Sequence, residues 1–80
     1  MLPKVKKVKS NPDFTLSLVF TNGESRRFNA KPYLEKGIFK YLKDWKQFSQ
    51  ARVSLDTVVW PNELDIAPET LYFESISEVQ

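Results

Sequence analysis

An α+β fold is predicted for this chain of 80 residues: a small antiparallel β-meander, a central helical segment, further short strands and a short C-terminal helix. Three observations predict it. Phe14, Leu16, Leu18 and Phe20 alternate with Thr15, Ser17 and Val19, the period of a half-buried strand. Leu34, Ile38, Tyr41 or Leu42, Trp45 and Phe48 recur at helical spacing. Residues 58–72 run from a β-branched stretch ending in Trp60, through Pro61-Asn62 and Leu64-Asp65-Ile66, into a helix opened by Pro68.

Lys4–Lys9 reads as the first strand, with Val5 and Val8 apolar among lysines. Their spacing of three breaks strict alternation, which predicts a bulge or an edge position. Asn11-Pro12-Asp13 is a turn, and the alternating run to Phe20 is the second strand. Thr21-Asn22-Gly23-Glu24 leads into a third strand through Phe28. A two-residue Asn-Gly loop would place Arg27 opposite Leu18 and turn Phe28 to the other face. A three-residue loop pairs Phe20 with Glu24 and sets Phe28 opposite Leu16. A slip of one residue inverts every side chain, so the burial of Phe28 decides for the longer loop. That loop is a type I turn with a G1 bulge, with Gly23 in the left-handed conformation.

Ala30-Lys31-Pro32 ends the meander, and Pro32 suits the first position of a short helical turn closed by Gly37. Asp44 is a candidate N-cap within the apolar run that follows, so one long helix and two short ones fit equally. Val53–Trp60 is a strand region with an irregularity at Asp56, and Leu64–Ile66 is a short strand pairing back on it. Pro68-Glu69 opens the final helix, with proline at N1 and an acid in the first turn favoured by the helix dipole. Residues 75–80 read as a tail, and residues 1–80 as a single domain.

Size and composition narrow the class. At this length roughly 60% of the unfolded chain's surface can be buried, and without cysteine no disulfide reinforces the core. Six Phe, three Tyr and two Trp compensate, since each aromatic buries on the order of 150–250 Å². No apolar run approaches the ~20 residues of a membrane span. Met1-Leu2-Pro3-Lys4 is followed by no apolar stretch, so no signal peptide is read there. A soluble cytoplasmic domain is the expectation. The net charge of +2 hides an asymmetry: residues 1–46 carry eleven Lys/Arg against four Asp/Glu, and residues 47–80 one against six. Such polarity becomes two charged faces or cancels in the fold.

The absence of histidine and cysteine removes the commonest general base, the commonest zinc ligand and the thiolate nucleophile. Glu63 and Asp65 remain as a carboxylate pair that could share a strand face, for acid–base work or magnesium. The expected role is structural, because nothing else in the sequence completes an active site. Glu63 belongs to a turn, and Asp65 caps the Pro68 helix or ties down the Pro61-Asn62-Glu63 turn. No catalytic residue, metal ligand or cofactor is assigned.

Lys4, Lys6, Lys7 and Lys9, with Arg26 and Arg27, are the candidate nucleic-acid-binding residues. The competing reading is an edge strand that uses lysine to discourage sheet-to-sheet aggregation. Phe39, Tyr41, Trp45 and Phe48 suggest a ligand pocket, but at helical spacing in so small a chain they are expected in the core. Trp60 is expected to be buried against the helical segment; the alternative is an exposed anchor for a partner. Gly23 is a lone turn glycine without a phosphate-loop context.

Several of these blocks resemble the small bacterial domain-of-unknown-function family numbered 2442. The matching residues are Pro3-Lys4-Val5, Leu16-Ser17-Leu18-Val19-Phe20-Thr21-Asn22-Gly23-Glu24, and Gly37-Ile38-Phe39-Lys40-Tyr41-Leu42-Lys43-Asp44 with Phe48. Val59-Trp60-Pro61-Asn62, Leu64-Asp65-Ile66 and Pro68-Glu69-Thr70-Leu71-Tyr72 complete the pattern, and this last group is its specific part. Relatives often have glycine after the Trp-Pro-Asn, where this chain has Glu63. The resemblance implies a small α+β fold with an unassigned activity and no catalytic residues to carry over. Relatives occur alone, fused to helix-turn-helix domains, or encoded beside another small protein in arrangements that look like toxin–antitoxin pairs; this chain would be the stand-alone form.

The expectation is therefore a non-enzymatic protein-interaction or accessory module, the antitoxin-like member of a two-protein pair, with a protein partner and no membrane association. The alternative is a weak nucleic-acid-binding module that uses the basic N-terminal half.

Overall fold

In the computed structural model, which describes residues 2–78, the elements follow in chain order as β1 (Val5–Ser10), β2 (Thr15–Phe20), β3 (Ser25–Asn29), the 3₁₀ helices η1 (Lys31–Glu35) and η2 (Gly37–Lys43), α1 (Trp45–Phe48), β4 (Arg52–Ser54), β5 (Thr57–Trp60), β6 (Leu64–Ile66), α2 (Pro68–Glu74) and β7 (Ile76–Ser77). The strands make two antiparallel sheets, β1-β2-β3-β7 and β4-β5-β6. This is the α+β architecture the sequence predicts.

The alternation in β2 sets the core. Leu16, Leu18 and Phe20 point inward and are essentially fully buried, and Phe28 of β3 lies opposite Leu16. Val58 and Trp60 of β5, with Leu64 and Ile66 of β6, supply the second sheet's inner face. Leu34, Leu42, Phe48 and Leu71, one from each helix, close the same cluster. The Val5 N–H donates to the Asp56 carbonyl at 3.0 Å, which ties the two sheets together. The irregular spacing of Val5 and Val8 resolves as a bulge between Val5 and Lys7, so that both valines face inward.

The β2–β3 connection is the three-residue loop. Gly23 N–H donates to the Phe20 carbonyl and Phe20 N–H to the Glu24 carbonyl, each at 2.9 Å, with Gly23 at φ +88°. The β1–β2 connection repeats this pattern. Phe14 N–H donates to the Asn11 carbonyl and Asn11 N–H to the Thr15 carbonyl, and Phe14 sits at φ +64°. Phe14 is thus a turn residue rather than the first residue of the strand, a correction to the alternation read from the sequence. Its ring packs on Phe48, centroids 5.1 Å apart, and edge-on to Trp45 at 6.0 Å.

After the short helical turn at Pro32 (η1), the apolar run takes the two-helix alternative, η2 and α1, divided at Asp44. Asp44 does cap α1: its carboxylate accepts the Lys46 N–H at 3.0 Å. The 3₁₀ geometry of η2 matters most, because it repeats every three residues rather than every 3.6. Leu42 turns into the core with Phe39 beside it, whereas Ile38 and Tyr41, three apart, turn out and are 70% and 42% exposed. For this reason the expectation of Ile38 in the core stripe fails, and of the alternatives Tyr41 and Leu42 it is Leu42 that enters the core.

The irregularity at Asp56 is a hairpin. Ser54 pairs with Thr57 across a two-residue turn with Leu55 and Asp56 at φ +51° and +67°, the type I′ geometry. Asn62 and Glu63 adopt the same left-handed region at the β5–β6 turn. Residues read as a tail also have structure. Ile76–Ser77 form β7 against Arg27 and Arg26, and Glu78 N–H donates to the Ser25 carbonyl at 2.8 Å. The cause is Arg26, whose guanidinium grips the Ser75 hydroxyl and carbonyl at 2.7 and 2.8 Å and brings the chain alongside β3. The last two residues of that expected tail lie outside the described residues.

Candidate functional site

Two surfaces gather the residues singled out above. The first lies where η2 approaches β6. Ile38 and Tyr41, turned outward by the 3₁₀ repeat, join Leu64 and Asn62 around a shallow, mainly apolar recess of about 370 Å³. Leu64 forms a floor from within the core, while Asn62 is held at the rim by its left-handed turn conformation. Large exposed apolar side chains beside a concavity are the kind of feature that marks a contact surface. The sequence reading missed Ile38 and Tyr41 as surface residues; Gly37 at the head of the segment, with φ +49°, is the signal that the helix does not run on as an α-helix.

The second surface is the outer face of the first sheet, where strand alternation places the basic residues. Lys9, Ser17 and Arg27 form one cross-strand row, and Lys7, Val19 and Ser25 the next. Arg27 is paired with Glu78 at 3.1 Å. The other candidates lie elsewhere. Arg26 lies opposite Leu18 on the core-facing side, bound to Glu24 at 2.9 Å and to Ser75, and stacked 4.6 Å over the Tyr72 ring. Lys4 pairs with Asp56 at 3.3 Å, and Lys6 is exposed in the bulge. The six residues therefore do not form one continuous basic face: the fold brings Lys7, Lys9 and Arg27 together.

A family model described as "Protein of unknown function (DUF2442)" matches residues 5–77, nearly the whole of both surfaces and all of the strands. The chain belongs to this family. No curated protein and no solved structure matches.

In this DUF2442 domain the carboxylate pair takes neither of the roles expected of Asp65. The N-cap of α2 is Ala67, with no side-chain cap, and Pro68 and Glu69 open the helix as predicted. Asp65 is exposed on the outer face of the second sheet, opposite Val59, which is itself opposite Arg52. Glu63 does sit in the turn. Both acids line a second shallow recess with Arg52, Ser54 and Leu55. No third acidic, histidine or cysteine side chain joins them as a metal-binding group among the described residues.

Of the four aromatics weighed as a pocket, Phe48 is fully buried, Phe39 packs against the core, Tyr41 lines the recess and Trp45 is 40% exposed. Trp60 is in the core: 2% exposed, its ring 5.9 Å from that of Phe48 and its indole N–H donating to the Phe48 carbonyl at 3.0 Å.

The strongest polar cluster joins α2 to the rest. Tyr72 donates to Glu24 and Tyr33 to Glu74, each at 2.5 Å. Accepting from Tyr72 and Asn22 and facing Arg26 holds the Glu24 carboxyl below its ordinary range. The hydrogen bond to Glu74, with partial burial, pushes the Tyr33 phenol up to about 12. These bonds position α2; none faces the η2–β6 recess. No helix among the described residues is long and apolar enough to cross a membrane.

Proposed function

We propose that this domain is a protein-interaction module, the accessory or antitoxin-like member of a two-protein pair, working without catalysis in the cytoplasm. One observation carries the reading: Ile38 and Tyr41 are held out of the core by the 3₁₀ repeat and border an apolar recess floored by Leu64. Exposing two large side chains at a concavity costs solvation that a partner would recover. The test is co-purification of tagged wild type, Ile38→Glu and Tyr41→Ser from host cells, with thermal melts of each. Stoichiometric capture of one protein, lost in both variants at unchanged melting temperature, supports the reading. Capture that is indifferent to both would refute this surface. The antitoxin-like role is tested by whether co-expression relieves growth arrest caused by the captured protein.

A second reading, weak nucleic-acid binding, rests on Lys7, Lys9 and Arg27 sharing the outer face of the first sheet. It is the weaker one, because among the described residues that face carries no aromatic for base stacking and Arg27 is already paired.

A further inference from the structure

We propose that β6 and the adjoining recess accept an extended segment of the partner protein as an added strand, with Lys or Arg opposite Asp65 and an apolar residue on either side of it. This rests on the protein-interaction reading above and specifies the partner's chemistry.

β6 is the end strand of its sheet and pairs only with β5 among the described residues. An end strand presents backbone groups to a further strand. Leu64 and Ile66 are 3% and 6% exposed while Asp65 between them is exposed, so their side chains alternate inward and outward. An added strand keeps that alternation. The residue opposite Asp65 shares the outer face with it, and its two neighbours point toward the side of Leu64, where Ile38 and Tyr41 complete the recess. Geometry thus asks for an apolar–X–apolar segment.

Charge selects X. Asp65 and Glu63 are exposed and take part in none of the ion pairs found among the described residues. A cation directly across from Asp65 is favoured, and a like charge there is disfavoured. The same rule argues against a second copy of this chain, because antiparallel pairing of β6 with itself about its centre sets Asp65 against Asp65. An anionic lipid surface meets the same two carboxylates.

The experiment titrates the isotope-labelled full chain with the blocked pentapeptide Thr-Ile-Lys-Val-Thr and with its central-Glu counterpart, read by amide shifts and hydrogen exchange. The expected result is that the lysine peptide moves the amides of residues 64–66, 38 and 41 and slows exchange at Asp65. The glutamate peptide should bind about fivefold more weakly, and Asp65→Lys should reverse the order. Equal binding of the two peptides, or shifts confined to other surfaces, would overturn the proposal. So would a dimer paired through β6, or binding to anionic vesicles that Ile38→Glu abolishes. A captured partner lost in Ile38→Glu yet held undiminished by Asp65→Lys would leave the interaction reading standing and remove strand addition alone.

Discussion

Phe14 occupies in the first β-turn the place that Gly23 occupies in the second. Both donate their N–H three residues back, both sit in the left-handed region, and each immediately precedes the second residue of the closing pair, Thr15 or Glu24. Glycine takes that conformation freely, while a side chain raises its energy by about 1–2 kcal/mol. At Phe14 the cost is offset by ring contacts with Trp45 and Phe48.

This relationship predicts an inverted substitution order. Phe14→Ala loses the ring and keeps the strain, so it should destabilise by about 2–3 kcal/mol, below the range for a fully buried phenylalanine. Phe14→Gly loses the ring but relieves the backbone and should be the less damaging by about 1 kcal/mol. Gly23→Ala should cost about 1–2 kcal/mol although an added Cβ there meets no atom within 4 Å. Urea unfolding of the three variants checks the order; an Ala variant more stable than Gly at position 14 would contradict it.

The β5–β6 turn carries the same logic to a side chain on the surface. Glu63 follows Asn62 in the left-handed region, at φ +61°. Glu63→Gly should therefore stabilise the domain by about 0.5–1 kcal/mol, the relief of the side-chain penalty less the added freedom of the unfolded chain. A loss of stability on this substitution would mean that the Glu63 side chain contributes something its exposed position does not suggest.

Much of the fold was legible because strands announce themselves by alternation and because one residue, Phe28, could be buried in only one register. Pro68 and Asp44 marked helix starts for local reasons that tertiary context did not override. The candidate surface was not legible, since Ile38 and Tyr41 fit an α-helical stripe as well as a 3₁₀ column, and only the backbone distinguishes periods of 3.6 and three. The tail was misread because nothing local in Ile76-Ser77 signals a strand; Arg26, 49 residues before Ser75, binds that serine and holds the segment there. Asp65 was misread because a carboxylate before Pro68 resembles a cap, although the strand continues through Ile66 and leaves Ala67 at the cap position.

Trp60 is a core residue whose hydrogen bond can be separated from its bulk. Its indole N–H and the Ser10 hydroxyl both donate to the Phe48 carbonyl at 3.0 Å, joining β5, β1 and α1 at one atom. Trp60→Ala should cost about 3–5 kcal/mol, enough to unfold much of so small a domain. Trp60→Phe should retain the fold and cost about 0.5–1.5 kcal/mol for the lost bond, plus the volume difference. A Trp60→Ala protein that melts like wild type would exclude a core role.

Binding to nucleic acid, if any, should be weak and steeply salt-dependent. With Lys7, Lys9 and Arg27 as the contacts, the log–log salt slope should be about 3, a loss of roughly 40-fold between 50 and 200 mM salt. Titrating a labelled duplex at several salt concentrations measures it. Sequence-selective binding that survives physiological salt would favour the nucleic-acid reading over the protein one.

The β1–β2 turn at Asp13 and the docking of α2 through Glu24, Tyr33 and Tyr72 together predict loss of stability at both ends of the pH scale, with opposite signs. Asp13, bonded to Thr15, and Glu24, bonded first to Tyr72 and then to Asn22, have carboxyls held below their ordinary values of 3.8 and 4.5. Their contribution is present above those values and is lost as pH falls through the depressed ones. Tyr33 and Tyr72 are shifted the other way by their bonds to Glu74 and Glu24. The protonated phenol is the form that donates, so their contribution is present below the ordinary value of 10.0. For Tyr33 it is lost as pH rises from there toward about 12. Wild type should therefore lose stability across that alkaline window, and Tyr33→Phe should flatten part of the slope while being less stable near neutrality. Melting temperatures of the two proteins from pH 7 to pH 11.5 decide it. Parallel curves would mean that the Tyr33–Glu74 bond does not hold α2 to η1 in solution.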